Sequence, residues 1–155
     1  MSGNLTDVLF INPGNAKKIY QDLATDYSAI ETPTWSLLLA QSCRSVGYSV
    51  AILDVNAERL DDKTAIERIK DVNPRLICFV VYGQNPNSGT VNMSGTVQLA
   101  KEIKAAGITS PISVVGSHVQ ALPHQTLEKE DDIDFIFTNE AVYALWNVLK
   151  LEDLH

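Results

Sequence analysis

Residues Arg75 to Tyr82 read RLICFVVY, with an unbroken apolar run from Leu76 to Val81 and no alternation of polar and apolar positions. A strand of this kind is buried on both faces, the situation of a parallel sheet covered by helices above and below. Four more runs share the character: Asp7 to Asn12 (DVLFIN), Ser49 to Asp54 (SVAILD), Ile112 to Gly116 (ISVVG) and Ile133 to Thr138 (IDFIFT). Helical spacing predicts helices between them. The first spans Thr34 to Val46, after Pro33 and before Gly47; the second spans Thr64 to Val72 and stops at Asn73-Pro74. The third spans Thr90 to Ala106, ended by Gly107, and Leu122 to Lys129 and Glu140 to Leu149 complete the set. Strand and helix alternate throughout, which predicts an α/β domain: a right-handed, doubly wound, flavodoxin-like sheet of five parallel strands in the order 2-1-3-4-5.

The chain has 155 residues, 45% hydrophobic and 20% charged, which suits one core and a single domain over residues 1–155. Its net charge of −7 repels phosphate backbones and anionic membranes, so nucleic acid is not an expected partner. No apolar run approaches the ~18–20 residues of a membrane span, and the first residues lack a basic stretch leading into an apolar one. The expected location is cytoplasmic. Cys43 and Cys78 lie in apolar contexts without metal-binding spacing and read as reduced core thiols.

In a sheet of this order ligands bind beyond the carboxyl ends of the strands, beside the switch point between strands 1 and 3. The loops there hold Asn12-Pro-Gly-Asn15, Gly83-Gln-Asn-Pro-Asn-Ser-Gly-Thr90, Gly116-Ser-His118 and Thr138-Asn-Glu140. Glycine admits close backbone approach, and the amides and hydroxyls supply neutral donors and acceptors; the same residues also serve as plain turn formers. Ser88 or Thr90 is placed to cap the third helix. The Pro13 to Pro33 connection, at about 20 residues, far exceeds the usual ~2–6. A phosphate-accepting receiver domain would carry acids where Asn12 and Tyr82 stand, and neither GxGxxG nor GxxxxGK[ST] is present. FMN stays open through stacking on Tyr82. His118, just past strand 4, faces the same edge, His124 and His155 read as surface positions, and no base stands near a nucleophile. Neither catalytic residues nor metal ligands are expected in this chain.

The chain resembles the cobalamin-binding domain that precedes the catalytic barrel of B12-dependent radical SAM enzymes, the methyltransferases and cyclases. The residues that carry the resemblance are Asn12-Pro13, Thr32-Pro-Thr-Trp-Ser-Leu-Leu-Leu-Ala40, Gly47-Tyr-Ser-Val50, Asp54-Val-Asn-Ala-Glu-Arg-Leu60, Val80-Val-Tyr-Gly-Gln-Asn85, Val114-Val-Gly-Ser-His118, Ala121-Leu-Pro123 and Ile133-Asp-Phe135 with Glu140. It covers roughly residues 5 to 150. The resemblance implies a Rossmann-like, B12-binding fold with a corrinoid across the carboxyl ends of the strands and its nucleotide tail inserted beside the sheet. Carried over by position, the cofactor-binding residues are Asn12, Gly14, Asp54, Asn56, Tyr82, Gly83, Gln84, Asn85, Gly116, Ser117, His118, Asn139 and Glu140. Small residues such as Gly116 and Ser117 suit a tail passing close to backbone. On that reading Gly116→Val blocks the tail without unfolding the domain.

Three departures sharpen the expectation. Many B12 domains carry Asp-x-His-x-x-Gly after strand 1, and here Asn12-Pro-Gly-Asn-Ala-Lys17 has no histidine, so the expected cofactor is base-off without a protein ligand from that loop. Family members often have Gly-Gly at strand 4 and Gly-Glu-Gly after strand 5, where this chain has Val115-Gly116 and Asn139-Glu-Ala141. A radical SAM half needs three clustered cysteines for its 4Fe-4S cluster and S-adenosylmethionine, which Cys43 and Cys78 do not provide. The chain therefore reads as either a cobalamin-holding module excised from a parent, with the catalytic radical SAM domain as its partner there, or a free-standing corrinoid binder, the first being favoured. The alternatives are a flavodoxin-like interaction module without cofactor and an FMN-binding module.

Overall fold

The computed structural model describes residues 5–14, 31–82 and 86–154, and of residues 86–91 the backbone alone. Its elements in chain order are β1 (Thr6–Asn12), α1 (Thr34–Ser45), β2 (Val50–Asp54), α2 (Asp62–Val72), β3 (Pro74–Val81), α3 (Pro86–Ala105), β4 (Ile112–Gly116), α4 (Ser117–Ala121), α5 (Pro123–Lys129), β5 (Phe135–Phe137) and α6 (Val142–Leu149). The strands form one sheet in the order β2-β1-β3-β4-β5, every pair parallel. This is the flavodoxin-like α/β architecture that the apolar runs predict.

Register explains why those runs do not alternate. Val8 and Phe10 of β1, with Leu76, Cys78 and Val80 of β3, pack against Leu39, Ala40 and Cys43 of α1 and Leu145 and Leu149 of α6. Leu9 and Ile11, with Ile77, Phe79 and Val81, pack on the opposite face with Ala65 and Ile69 of α2, Leu99 and Ile103 of α3 and Val119 of α4. Successive strand residues thus enter two different cores, and a polar residue at either parity would be buried. Burying each large side chain contributes about 1.5–3 kcal/mol, so β1 and β3 anchor the fold.

Boundaries moved where capping chemistry decides them. α2 starts before Thr64 because Asp61 accepts from the Thr64 N–H at 2.8 Å, and it ends at left-handed Asn73 before Pro74. α3 begins at Pro86, so Ser88 and Thr90 lie inside the helix instead of capping it. The helix expected over Leu122 to Lys129 is α5, starting at Pro123; α4 is a further short helix before it, separated from it at Leu122 because Pro123 cannot continue a helix. α6 starts at Val142 because Ala141, at φ 62°, is left-handed. Gly47 and Gly107, with positive φ, end α1 and α3 as expected. Among the described residues no helix is long and apolar enough to cross a membrane.

Candidate functional site

The C-terminal ends of all five strands lie along one edge of the sheet, because every pair is parallel. The candidate residues sit there in small, mutually tied groups. At the end of β1, Asn12 donates from Nδ2 to Asp54 Oδ1 of β2 at 2.9 Å, and the same oxygen accepts the Ala57 N–H at 2.9 Å. The Val55 N–H donates to the Asn12 carbonyl, and the turn closes through Glu58, Arg59 and Leu60 amides bonded to Asp54, Asn56 and Val55 carbonyls. Gly14 lies against this turn: a Cβ on it would meet the Asn56 Cα at 3.3 Å. Asn12, Gly14, Asp54 and Asn56 are therefore brought together as one half-buried unit.

A second group joins β3 to β5. Tyr82 stacks on Trp35 of α1, ring centroids 4.7 Å apart and planes 26° from parallel, and its hydroxyl donates to the Asn139 carbonyl at 3.3 Å. Burial, with help from the Glu140 carboxylate and Cys78, raises the Tyr82 phenol above its ordinary pKa. One face of Tyr82 is thus taken by Trp35, a residue the sequence reading passed over. Asn139 and Glu140 are exposed. Asn139 and Ala141 have φ of 60° and 62°, the left-handed conformation that glycine adopts most readily. The Asn-Glu-Ala sequence therefore has left-handed backbone at the two positions where the resemblance implies glycine.

The third group is the end of β4. Gly116 has φ +156°, and a Cβ there would lie 2.2 Å from the Val81 carbonyl oxygen of β3. Its missing side chain makes room for the neighbouring strand, a packing reason for glycine at this position. Ser117 follows, and its buried Oγ has no hydrogen-bond partner. His118 is half-buried in the short α4, where its carbonyl accepts the Leu122 N–H. Gly83, Gln84 and Asn85 lie outside the described residues, as do residues 15–30 of the long first connection and His155. The side chains of Ser88 and Thr90 are likewise undescribed.

Ser36 is the other residue missed. It is 1% exposed on α1, and its Oγ, like that of Ser117, has no partner. A serine in a helix reads from sequence as a solvent-facing position, and only its spacing from Leu39, Ala40 and Cys43 hinted otherwise. Cys43 and Cys78 are free and buried, as read; burial pushes their thiols up to about 11 and about 12. An amide-rich, uncharged ligand fits this edge: its side chains are mainly neutral donors and acceptors, and the orphaned Ser117 hydroxyl calls for a partner.

Two solved structures of the radical S-adenosylmethionine methyltransferase TsrM from Kitasatospora setae share the fold. One has tryptophan substrate and the SAM analog aza-SAM bound, with TM-score 0.68 and 17% identity over 92% of this chain and 24% of that one. The other has cobalamin and a 4Fe-4S cluster bound, with TM-score 0.64 and 16% identity over 92% of this chain and 25% of that one. The chain spans about a quarter of the length of these structures. Among curated proteins none matches in sequence. The family model described as "B12 binding domain" matches residues 20–149, from within the first connection to the last residue of α6. The strand order and this match agree, and the chain belongs to the B12-binding domain family.

Proposed function

We propose that this chain binds cobalamin across the carboxyl edge of its sheet and serves as the cofactor-holding module of a larger radical SAM methyltransferase or cyclase. The observation that carries the reading is the orphaned Ser117 hydroxyl at the end of β4, in a chain of the B12-binding domain family. A buried hydroxyl without a partner is disfavoured unless a bound group completes it. Asn12 and Asp54, locked to each other, and Asn56 beside Gly14 would hold the corrin's amide rim at β1 and β2. Asn139 and Glu140 would do so at β5, and Ser117 with His118 at β4.

The loop after β1 has no histidine from Asn12 to Lys17, so the proposed state is base-off with no protein ligand from that loop. Bound cobalamin would supply a cobalt able to carry a methyl group or enter radical chemistry, while this chain's residues orient it and shield its tail from water. The 4Fe-4S cluster and S-adenosylmethionine belong, in this proposal, to the radical SAM domain of the parent. Whole-protein relatives four times this length are consistent with that division.

The test is a titration of the purified chain with hydroxocobalamin, reading the visible spectrum and the cobalt retained after gel filtration. Saturable one-to-one binding with a base-off spectrum is expected. Cobalt that washes away would overturn the proposal in favour of an interaction module, and a yellow protein carrying flavin would replace it with FMN binding.

A further inference from the structure

Helix α1 returns antiparallel to the strands, so its first turn lies over the carboxyl edge, and the Trp35 and Tyr82 rings fix it there. Ser36, Leu39, Ala40 and Cys43 are its buried residues, and the last three pack on β1 and β3. Ser36 is therefore the end of the sheet-facing stripe nearest the site. Two other buried helix hydroxyls, in α3 and α5, bond back to the carbonyl four residues earlier, Thr96 to Asn92 at 3.2 Å and Thr126 to Leu122 at 2.8 Å. Ser36 sits in the first turn, where no helical carbonyl stands four residues back, and its Oγ is unpartnered at 1% exposure. α1 also has Pro33 at its N-cap, with no side-chain cap and no acid in its first turn. At this end the Thr34 N–H donates to the Thr32 carbonyl at 2.7 Å and the Leu37 N–H to the Pro33 carbonyl at 3.0 Å, and Ser36 Oγ is left without a partner.

We infer that Ser36 is a ligand-binding residue whose hydroxyl bonds the deeply inserted part of the ligand. This rests on the cobalamin reading above, under which the inserted part is the nucleotide tail and not the corrin rim. A hydroxyl 1% exposed is reached by a narrow appendage, whereas the broad ring stays at the strand ends. Ser36 then discriminates intact cobalamin from corrinoids that lack the tail.

The experiment titrates the wild-type chain and Ser36→Ala with hydroxocobalamin and with dicyanocobinamide, which has the corrin but no nucleotide, and melts both proteins without ligand. Ser36→Ala is expected to bind hydroxocobalamin about three- to tenfold more weakly, to bind cobinamide as the wild type does, and to melt higher because an orphaned hydroxyl is gone and alanine favours helix. Undiminished hydroxocobalamin affinity in Ser36→Ala overturns the inference while leaving cobalamin binding intact. Equal losses on both corrinoids, or a lower melting temperature, also overturn it, by making Ser36 a rim contact or a structural residue. A wild type that binds neither corrinoid overturns the cobalamin reading along with it.

Discussion

The Val81 carbonyl occupies the space that a side chain on Gly116 would need, with only 2.2 Å between that oxygen and the position of a Cβ. Both atoms belong to backbone paired in register between β3 and β4, so neither strand yields without breaking the ladder. Gly116→Ala is expected to lose about 3 kcal/mol or more, from overpacking combined with a φ near +156° that alanine avoids. Urea denaturation reads the loss, and a wild-type midpoint would contradict the packing described. Gly116→Val, expected from sequence to block a tail and spare the fold, is by the same clash expected to unfold the domain.

Ala141 begins α6 from a left-handed conformation at φ 62°, which costs an L residue roughly 1–2 kcal/mol. Ala141→Gly relieves that strain and gives back part of the gain through a freer unfolded chain, so a net stabilisation of about 0.5–1 kcal/mol is expected. Thermal melting measures it. A destabilised glycine variant would mean that Ala141, 5% exposed against the α6 core, contributes more by packing than it loses by strain.

Asp54 Oδ1 holds both the Asn12 amide and the Ala57 N–H, and so joins the ends of β1 and β2 to the turn that follows. Asp54→Ala is expected to cost about 1–3 kcal/mol and to weaken corrinoid binding, because it frees two donors at once. Asp54→Asn keeps an acceptor there and should come close to wild type in both assays. Similar damage from both variants would show that charge, not hydrogen bonding, sets the contribution.

At the opposite end of the sheet, burial would raise the Asp7 pKa, but the Ser49 N–H and hydroxyl, at 2.8 and 2.7 Å, and Arg75, at 3.1 Å, outweigh it and hold the carboxyl below its ordinary 3.8. A depressed folded-state pKa contributes stability that is present above the unfolded value and lost as pH falls through the folded one. Asp7→Asn should therefore be less stable than wild type at pH 7, and the two should converge as pH drops below about 3.8. Parallel stability curves from pH 7 to pH 2 would rule out this linkage.

Much of the architecture was legible because burial on two faces leaves a mark on composition. Leu76 to Val81 feeds alternate side chains into separate cores, and no polar residue is tolerated at either parity. The strand ends were legible too, since Asn12, Asp54 and Gly116 interrupt apolar runs with residues that carry hydrogen bonds or permit close approach. Less visible were contacts between distant segments. Nothing local in Thr32-Pro-Thr-Trp35 tells that its indole stacks on Tyr82, because that contact is made by the crossover of α1. Ser36 was hidden for the same reason, its burial being set by α1 packing on β1 and β3. α4 was missed because five residues with Val119 alone buried carry no periodicity.

The turn after β5 bears on how tightly, and for how long, a ligand would stay. Its backbone is tethered at the Asn139 carbonyl by Tyr82, and positions 139 and 141 carry side chains where glycine would leave the chain many more rotations. A segment with few conformers has little freedom left to surrender when a guest settles against it. Association at this edge should therefore show a small entropic penalty and slow release, so that residence time, more than encounter rate, sets affinity.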